Sequence, residues 1–426
     1  MFFNYTKSTL ANGLNVIYVP NQSSNVVTSM LMFHVGSRDE NTSLAGISHV
    51  LEHMHYKGTK KRSTSQEVAE FIESIGGEHN AFTSKEYTGY YVKVAAKHIE
   101  DSFDFLSDLI VNPLFRSEDL EQEKKVILQE LSMYQDIPME IVANKFENLV
   151  FGDNALGRDI IGRRESIEST TRDDLLGYRA RYYHAGNAVL VIAGNFEISK
   201  IKDKVAKLFT LPSGKKVKRN PLFLDKPQML GLTKKKIEQS QVCAGFLGAS
   251  TLDEDRFALR LLTVILGDSM SSRMFVEIRE KRNLAYAIKT SASFYLESGA
   301  IETQAGVAHA NVYEVIEGIL HEYEKIKSVE VNDSELQKAK EIITGKLLIA
   351  FEDSEQVANH FAFGELFSRE NLTPSELLVK YNKVTTKDIH RVAKKYFIKE
   401  NLSVAVLTPN DITKKVTSLI QGIYGK

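Results

Sequence analysis

Two segments that lie 216 residues apart have the same apolar spacing, and this internal repeat constrains the fold more than any other feature. The segment DLEQEKKVILQEL (119–131) aligns without a gap with ELQKAKEIITGKL (335–347). Apolar residues recur in both at the spacing of a helix that buries one face, so both segments are predicted to be helices packed in the same way. The chain is therefore expected to consist of two related halves.

A basic stretch that contains several prolines separates these halves. LPSGKKVKRNPLFLDKP (211–227) has three prolines and five basic residues. Because proline interrupts regular structure and clustered charges favour solvent, a solvated linker is favoured over a polyanion site. We predict an N-terminal domain over 1–212, a linker over 213–228 and a related C-terminal domain over 229–426.

Strand and helix patterns are mixed along the chain. Strand patterns, rich in β-branched residues, occur at 14–20, 25–36, 80–95 and 187–196. Helical patterns occur at 44–57, 65–75, 98–111 and 117–135. The order lacks strict strand–helix–strand alternation, so we predict an α+β fold of two repeated domains, each a largely antiparallel sheet with helices packed on it.

Charge and cysteine content exclude several classes of protein. The 54 basic and 55 acidic residues give a net charge of −1, so there is no electrostatic reason to expect nucleic acid or an acidic membrane as a main partner. The single cysteine, Cys243, cannot form an intrachain disulfide, which favours a reducing compartment. No apolar stretch is long enough to span a bilayer, and no signal or transit pattern is visible. A soluble, cytoplasmic protein is expected.

The stretch GISHVLEHMHYKGT (46–59) places a polar cluster on one face of a predicted helix, which Ser43 is expected to cap. At 100° per residue the apolar residues lie on the opposite face. His49 and His53 are one turn apart, the geometry in which two imidazoles can chelate one zinc ion. A solvated polar face is the alternative. Two further histidines outside this cluster, His55 and His79, are expected to be surface or packing residues.

The predicted helix over 117–136 offers a third metal ligand. Glu123 and Glu130 are two turns apart and should be partly buried, and a buried carboxylate without a partner is costly. A metal ion would satisfy one of them and a hydrogen bond to a ligand the other. In the second repeat Ala339 and Lys346 occupy these positions, so only the first half keeps the carboxylates. A salt-bridged helix face is the alternative.

Taken together, these residues resemble the inverted zinc peptidases, the pitrilysin family (M16) that includes mitochondrial processing peptidase and insulin-degrading enzyme. The family pattern is His-x-x-Glu-His followed by a glutamate about 75 residues on, with another glutamate seven residues before it. GGEHNAFTSKEYTGYY, VILQELSMYQDIP and SSRMFVEIREKRNLAYAI also resemble family segments, in the right order. The resemblance covers nearly the whole chain and is strongest to the short bacterial and processing-peptidase-like members, which have two repeated α+β domains.

The resemblance implies a zinc endopeptidase. His49, His53 and Glu130 would hold one Zn²⁺ per chain, which would activate a water molecule. Glu52 would act as the general base that takes the proton of this water. Glu123 would orient one of the ligands.

The resemblance also assigns substrate contacts. The NAFTS strand would be an edge strand to which an extended peptide adds, through Asn80, Ala81 and Phe82. Arg279 and Tyr286 would contact substrate carbonyls, with Tyr286 near the tetrahedral oxygen. By themselves, an Arg and a Tyr seven residues apart on a helix would be surface and packing residues.

The family comparison implies a homodimer in which each chain supplies Arg279 and Tyr286 to its partner's zinc site. The substrates would be extended peptides or leader and targeting segments, between which the sequence does not discriminate. Three alternatives stay open: a non-catalytic structural subunit of a processing-peptidase-like complex, a catalytic chain that needs a separate inactive partner, and a metal-binding protein without hydrolysis.

Overall fold

The computed structural model describes residues 4–222, 226–367 and 371–425. Its strands form a six-stranded sheet of order β1-β2-β6-β3-β5-β4 and a five-stranded sheet of order β7-β11-β8-β10-β9. The strands are β1 (Thr6–Thr9), β2 (Asn15–Pro20), β3 (Val26–Phe33), β4 (Glu78–Thr83), β5 (Thr88–Ala95), β6 (Ala188–Gly194), β7 (Leu230–Lys234), β8 (Ser240–Gly248), β9 (Ala285–Phe294), β10 (Gly299–Val307) and β11 (Leu402–Thr408).

Helices occur between these strands and after β11. They are α1 (Ile47–His55), α2 (Ser65–Ser74), α3 (Ile99–Val111), α4 (Ser117–Asp136), α5 (Pro138–Phe151), α6 (Arg164–Ser169), α7 (Arg172–Tyr182), α8 (Ile198–Leu208), α9 (Asp255–Leu266), α10 (Val312–Ser328), α11 (Asp333–Ala350), α12 (Ser354–Leu366), α13 (Pro374–Lys383), α14 (Thr386–Tyr396) and α15 (Thr413–Tyr424). None of the helices in the described part of the chain is long and apolar enough to cross a membrane. A cytoplasmic location stays a prediction.

The two sheets have the same topology once β1 is set aside. β2 pairs in parallel with β6, as β7 does with β11. The remaining pairs follow the same order in both sheets and are antiparallel. The prediction of an α+β fold with two repeated domains and largely antiparallel sheets is therefore confirmed.

The sequence repeat corresponds to α4 and α11, and both segments are helices as predicted. All three buried positions of α11 coincide with buried positions of α4 at the 216-residue offset: Leu336 with Leu120, Ala339 with Glu123, and Ile343 with Ile127. The shared apolar spacing thus marks the faces that both helices turn inward.

The chain forms two compact units, and each takes a helix from the other half of the sequence. One unit comprises the described residues within 1–131, 159–220 and 347–376, and the other the remainder. Helix α12 packs on β3 and β6, whereas α5 packs on β8 and β11. The predicted boundaries at 212 and 229 stay a prediction, and they do not include this exchange.

The predicted linker is only partly a solvated segment. Lys215 and Lys218 are exposed, as expected. The side chain of Arg219, however, is only 6% exposed and forms an ion pair with Asp39 of the first unit. Residues 223–225 of the predicted linker lie outside the described residues.

Candidate metal centre

Helix α1 buries its apolar face and leaves its polar face partly accessible, as its periodicity predicts. Val50, Leu51 and Met54 are completely buried. The predicted cap is wrong, because the helix begins after Gly46, which has a φ of 95°. A side chain at this position would also collide with the Ile161 carbonyl oxygen, since an added Cβ would lie 2.4 Å from it. Glycine is therefore required here.

Helix α4 carries Glu123 and Glu130 toward α1. Burial of Leu120 and Ile127 fixes the rotation of α4. The Glu123 and Glu130 side chains are 6% and 25% exposed, so the expectation of partial burial holds. Val126, which lies between them in the sequence, is 48% exposed.

His49, His53 and Glu130 bring three possible ligand atoms together. The two Nε2 atoms are 3.3 Å apart. Glu130 Oε2 lies 3.8 Å from Nε2 of His49 and 3.7 Å from Nε2 of His53. Atoms bound tetrahedrally at the zinc–ligand distances of about 2.0–2.1 Å are separated by about 3.3 Å, so the arrangement fits Zn²⁺. It is the one such cluster among the residues that the structure describes.

Glu123 fixes the orientation of His53. Its Oε1 lies 2.8 Å from His53 Nδ1, and its other oxygen forms an ion pair with Lys57. With Nδ1 donating to Glu123, the Nε2 lone pair is directed toward the cluster. Burial raises the pKa of Glu123, but the hydrogen bonds from His53 and Lys57 outweigh this and leave it below its usual value.

The two histidines have opposite protonation tendencies. Burial, aided by the charge of His53, lowers the pKa of His49 to about 4, so His49 is neutral near pH 7. Burial also lowers the pKa of His53, but the hydrogen bond and charge of Glu123 reverse the effect and raise it. His53 therefore holds a proton more tightly than a free imidazole does, and protons compete with a metal ion for it.

Glu52 lies beside the cluster but is not needed as a ligand. Burial raises the pKa of its carboxyl, against the lowering effect of a hydrogen bond from Thr83. Thr83 Oγ1 donates to Glu52 Oε2 from the end of β4. Sequence reasoning missed Thr83, although its place in the NAFTS segment could have indicated it.

β4 is the terminal strand of its sheet and pairs only with β5 among the described residues. Asn80 is exposed, and Ala81 and Phe82 are partly exposed. The Phe82 ring packs over Gly89 of β5, where an added Cβ would lie 2.3 Å from it. The strand therefore presents an open edge, as expected for NAFTS.

Arg279 and Tyr286 belong to the other compact unit. Arg279 lies in a π-helical segment, Phe275–Lys281, with its guanidinium 4.6 Å from the centre of the Phe275 ring. Tyr286 lies in β9 and is 78% exposed. The expectation that both lie on a helix is therefore wrong for Tyr286.

The remaining histidines of the motif region are packing residues, as expected. His55 is completely buried and stacks on Tyr183 with ring centres 5.4 Å apart. His79 stacks on Tyr56 at 5.3 Å. Neither lies in the ligand cluster.

Comparison with known proteins shows the family. Residues 15–164 match the family model "Insulinase (Peptidase family M16)", and residues 169–343 match "Peptidase M16 inactive domain". A Bacillus subtilis protein named "Uncharacterized zinc protease YmxG" is 33% identical over 405 residues, which cover 94% of this chain and 98% of that protein. The chain belongs to peptidase family M16. Its length matches that of the short bacterial members.

Solved structures show how widely the M16 fold is shared. A protease from Helicobacter pylori has a TM-score of 0.89 at 23% identity and covers 96% of this chain and 100% of its own. A chain of Complex III2 from Candida albicans has a TM-score of 0.85 at 16% identity, covering 98% and 99%. The fold alone therefore does not determine activity, and the side chains have to decide it.

Proposed function

We propose that this M16 chain is a zinc-dependent endopeptidase that binds one Zn²⁺ through His49, His53 and Glu130. The observation that supports this best is the separation of the three ligand atoms by 3.3–3.8 Å. Glu52 adds to it, because a partly buried carboxylate beside the cluster is not required for binding a metal. It is required for hydrolysis.

In the proposed reaction Glu52 and Glu123 have different roles. Bound Zn²⁺ would supply a Lewis acid that lowers the pKa of a water molecule and polarises the scissile carbonyl. Glu52 takes the proton of the attacking water and delivers it to the leaving amine. Burial raises the pKa of Glu52, which strengthens it as a base. Glu123 holds His53 in the tautomer that presents Nε2.

The open edge of β4 supports an extended peptide as the substrate. A peptide can pair with this strand through main-chain hydrogen bonds, which demand little of the peptide's sequence. Asn80, Ala81 and Phe82 would form this contact. Unfolded peptides and leader or targeting segments both satisfy it.

We further propose a homodimer in which Arg279 and Tyr286 of one chain serve the zinc site of the other. The high exposure of Tyr286 supports a role in contacting another molecule, because a large aromatic side chain gains little in solvent. The chain carries both the zinc set and the Arg/Tyr set, so two copies would make two equivalent sites.

The principal alternative is a non-catalytic subunit of a processing-peptidase-like complex. The Candida Complex III2 chain supports it at the level of fold alone. Such a subunit has no need for ligand atoms at zinc spacing or for a base beside them, and this chain has both. The peptidase is therefore the better proposal.

The first experiment compares wild type with Glu52→Gln on a mixture of quenched peptides. We expect about one zinc per chain in both proteins and a loss of cleavage of about 10²–10⁴-fold in the variant. Glu70→Gln, at an exposed position on α2, is the control and should cleave normally. If wild type binds zinc but cleaves nothing, the chain is not a self-sufficient enzyme. If Glu52→Gln cleaves normally, Glu52 is not the base.

A mixing experiment tests the shared site. Glu52→Gln chains and Arg279→Ala/Tyr286→Phe chains should each be inactive alone. After exchange of subunits, about a quarter of wild-type activity should return, because half of the dimers are mixed and each contains one complete site. No gain on mixing would show that each chain uses its own Arg279 and Tyr286, or neither.

A further inference from the structure

The first turn of α1 is held by a buried carboxylate that the proposed mechanism does not use. Glu40 is 6% exposed. Its Oε2 accepts from the Gly46 amide at 2.7 Å, and its Oε1 from the Ser48 amide at 2.9 Å. Amides in the first turn have no acceptor within the helix, and a carboxylate there also interacts favourably with the helix dipole. Glu40 therefore satisfies the amides at the start of α1, which is the role expected of Ser43.

This contact is made next to the metal centre. Ser48 precedes His49 directly, and its hydroxyl is further bonded to Tyr178 OH at 2.7 Å. His53 follows one turn later on the same helix. Any shift or rotation of the first turn would therefore change the 3.3 Å separation of the two imidazole Nε2 atoms.

Asp39, the neighbour of Glu40, is fixed by an arginine from the segment between the repeats. Arg219 donates from Nε to Asp39 Oδ1 at 2.8 Å and from Nη2 to Oδ2 at 2.7 Å. Its Nη1 lies 2.9 Å from His34 Nε2. The two charged side chains are 6% and 7% exposed, and a buried bidentate pair allows little movement.

We propose that Glu40 is a positioning residue of the metal site and that Arg219 holds it in place through Asp39. The segment between the repeats thus sets the position of the two histidines on α1. The inference rests on the proposed zinc site. It assigns Glu40 and Arg219 no contact with substrate or metal.

The test measures zinc affinity by competition with a chelator, together with kcat and KM, in the full-length chain. Glu40→Gln keeps the size of the side chain but leaves only one oxygen to accept a hydrogen bond. We expect zinc to bind about tenfold more weakly and kcat to fall by a similar factor, with KM unchanged. Amide hydrogen exchange in residues 46–51 should become faster.

Two controls separate positioning from general stability. Glu67→Gln removes a carboxylate that accepts from the amides of Ser63 and Thr64 just before α2 and should leave zinc affinity unchanged. Val416→Ala makes a cavity in α15, where Val416 is completely buried, and should lower the melting temperature without weakening zinc binding. Arg219→Lys keeps the charge but not the two parallel bonds, and we expect a smaller loss of affinity in the same direction as in Glu40→Gln.

The outcomes are distinct. If Glu40→Gln melts earlier but keeps wild-type zinc affinity and kcat, the proposal is wrong. If it does not fold, Arg219→Lys decides, and normal zinc affinity there overturns the proposal. If wild type itself binds no zinc, the proposed function as a zinc peptidase is wrong, and the positioning role that rests on it is wrong as well. If wild type binds zinc without cleaving peptides, the affinities still test the positioning role.

Discussion

Helices α4 and α11 are equivalent helices of the two repeats, but they differ at the positions that Glu123 and Glu130 occupy in α4. Both bury the same three positions, so packing is retained. At the position of Glu130, however, α11 has Lys346, whose Nζ lies 3.0 Å from Asp268 Oδ2. At the position of Glu123 it has Ala339. The apolar contacts keep their spacing, whereas the partly exposed position of Glu130 carries an ion-paired lysine in α11 and the buried position of Glu123 carries an alanine.

The largest expected effect comes from making α4 resemble α11. Glu130→Lys removes one ligand and places a cation against His49 and His53, so we expect zinc to be lost and cleavage to fall by more than about 100-fold. Zinc content by atomic spectroscopy and peptide cleavage are the measurements.

The reciprocal change, Lys346→Glu, is the control. It breaks a half-exposed ion pair and should leave zinc content and cleavage within about twofold of wild type. Zinc retained in Glu130→Lys would rule out Glu130 as a ligand. The difference between α4 and α11 at this position would then not explain why zinc binds to the first repeat.

The exchanged helices α5 and α12 offer the second comparison, because each stabilises the sheet of the other half. Phe146 on α5 and Phe361 on α12 are both completely buried. Phe146→Ala should lower the free energy of unfolding by about 3–5 kcal/mol. Although Phe146 belongs to the first half, amide protection should be lost first in β8 and β11, which α5 covers.

Phe361→Ala is the matched variant, and it should reduce protection in β3 and β6 by the same reasoning. If Phe146→Ala instead weakens β3 and β6, the exchange of helices does not describe how the units are stabilised. Denaturant unfolding with hydrogen exchange measures both variants.

Glu123 in one unit and Glu302 in the other show how neighbouring groups change the pKa of a carboxyl that is removed from solvent. Glu123 has His53 and Lys57 as partners, and its pKa is lowered. Glu302 contacts Cys243 Sγ and Ser291 Oγ at 3.5 and 3.3 Å. Burial, with the charge of Glu147, raises its pKa.

The smallest expected effect is a pH-dependent gain in stability from Glu302→Gln. A raised pKa means that the folded state holds the proton more tightly, so stability decreases as pH rises from the ordinary carboxyl pKa toward the raised one. The variant should melt a few degrees higher than wild type at about pH 7.5 and nearly equally at about pH 4. A lower melting temperature of the variant at the higher pH would contradict the direction of this shift.

Sequence reasoning was most successful where periodicity and spacing carry the information. The helical pattern of α1 predicted that His49 and His53 share one face, and the resemblance to the M16 peptidases singled out Glu130, which the structure brings close to both histidines. Sequence reasoning failed where partners come from distant parts of the chain. Glu40 contacts the first turn of α1 and Arg219 contacts the neighbouring Asp39, each from another part of the chain, and no local pattern indicates these two contacts.

The sequence by itself determined that the chain is a tandem of two α+β repeats and that only the first carries a histidine and glutamate set suited to zinc. Periodicity and residue identity are local properties, so they can be read from the sequence before the fold is known. Only the tertiary structure decided that α5 and α12 are exchanged, that Glu40 rather than Ser43 caps α1, and that a linker arginine is buried. These outcomes depend on which distant groups meet, because a buried charge must find its partner wherever the fold places it.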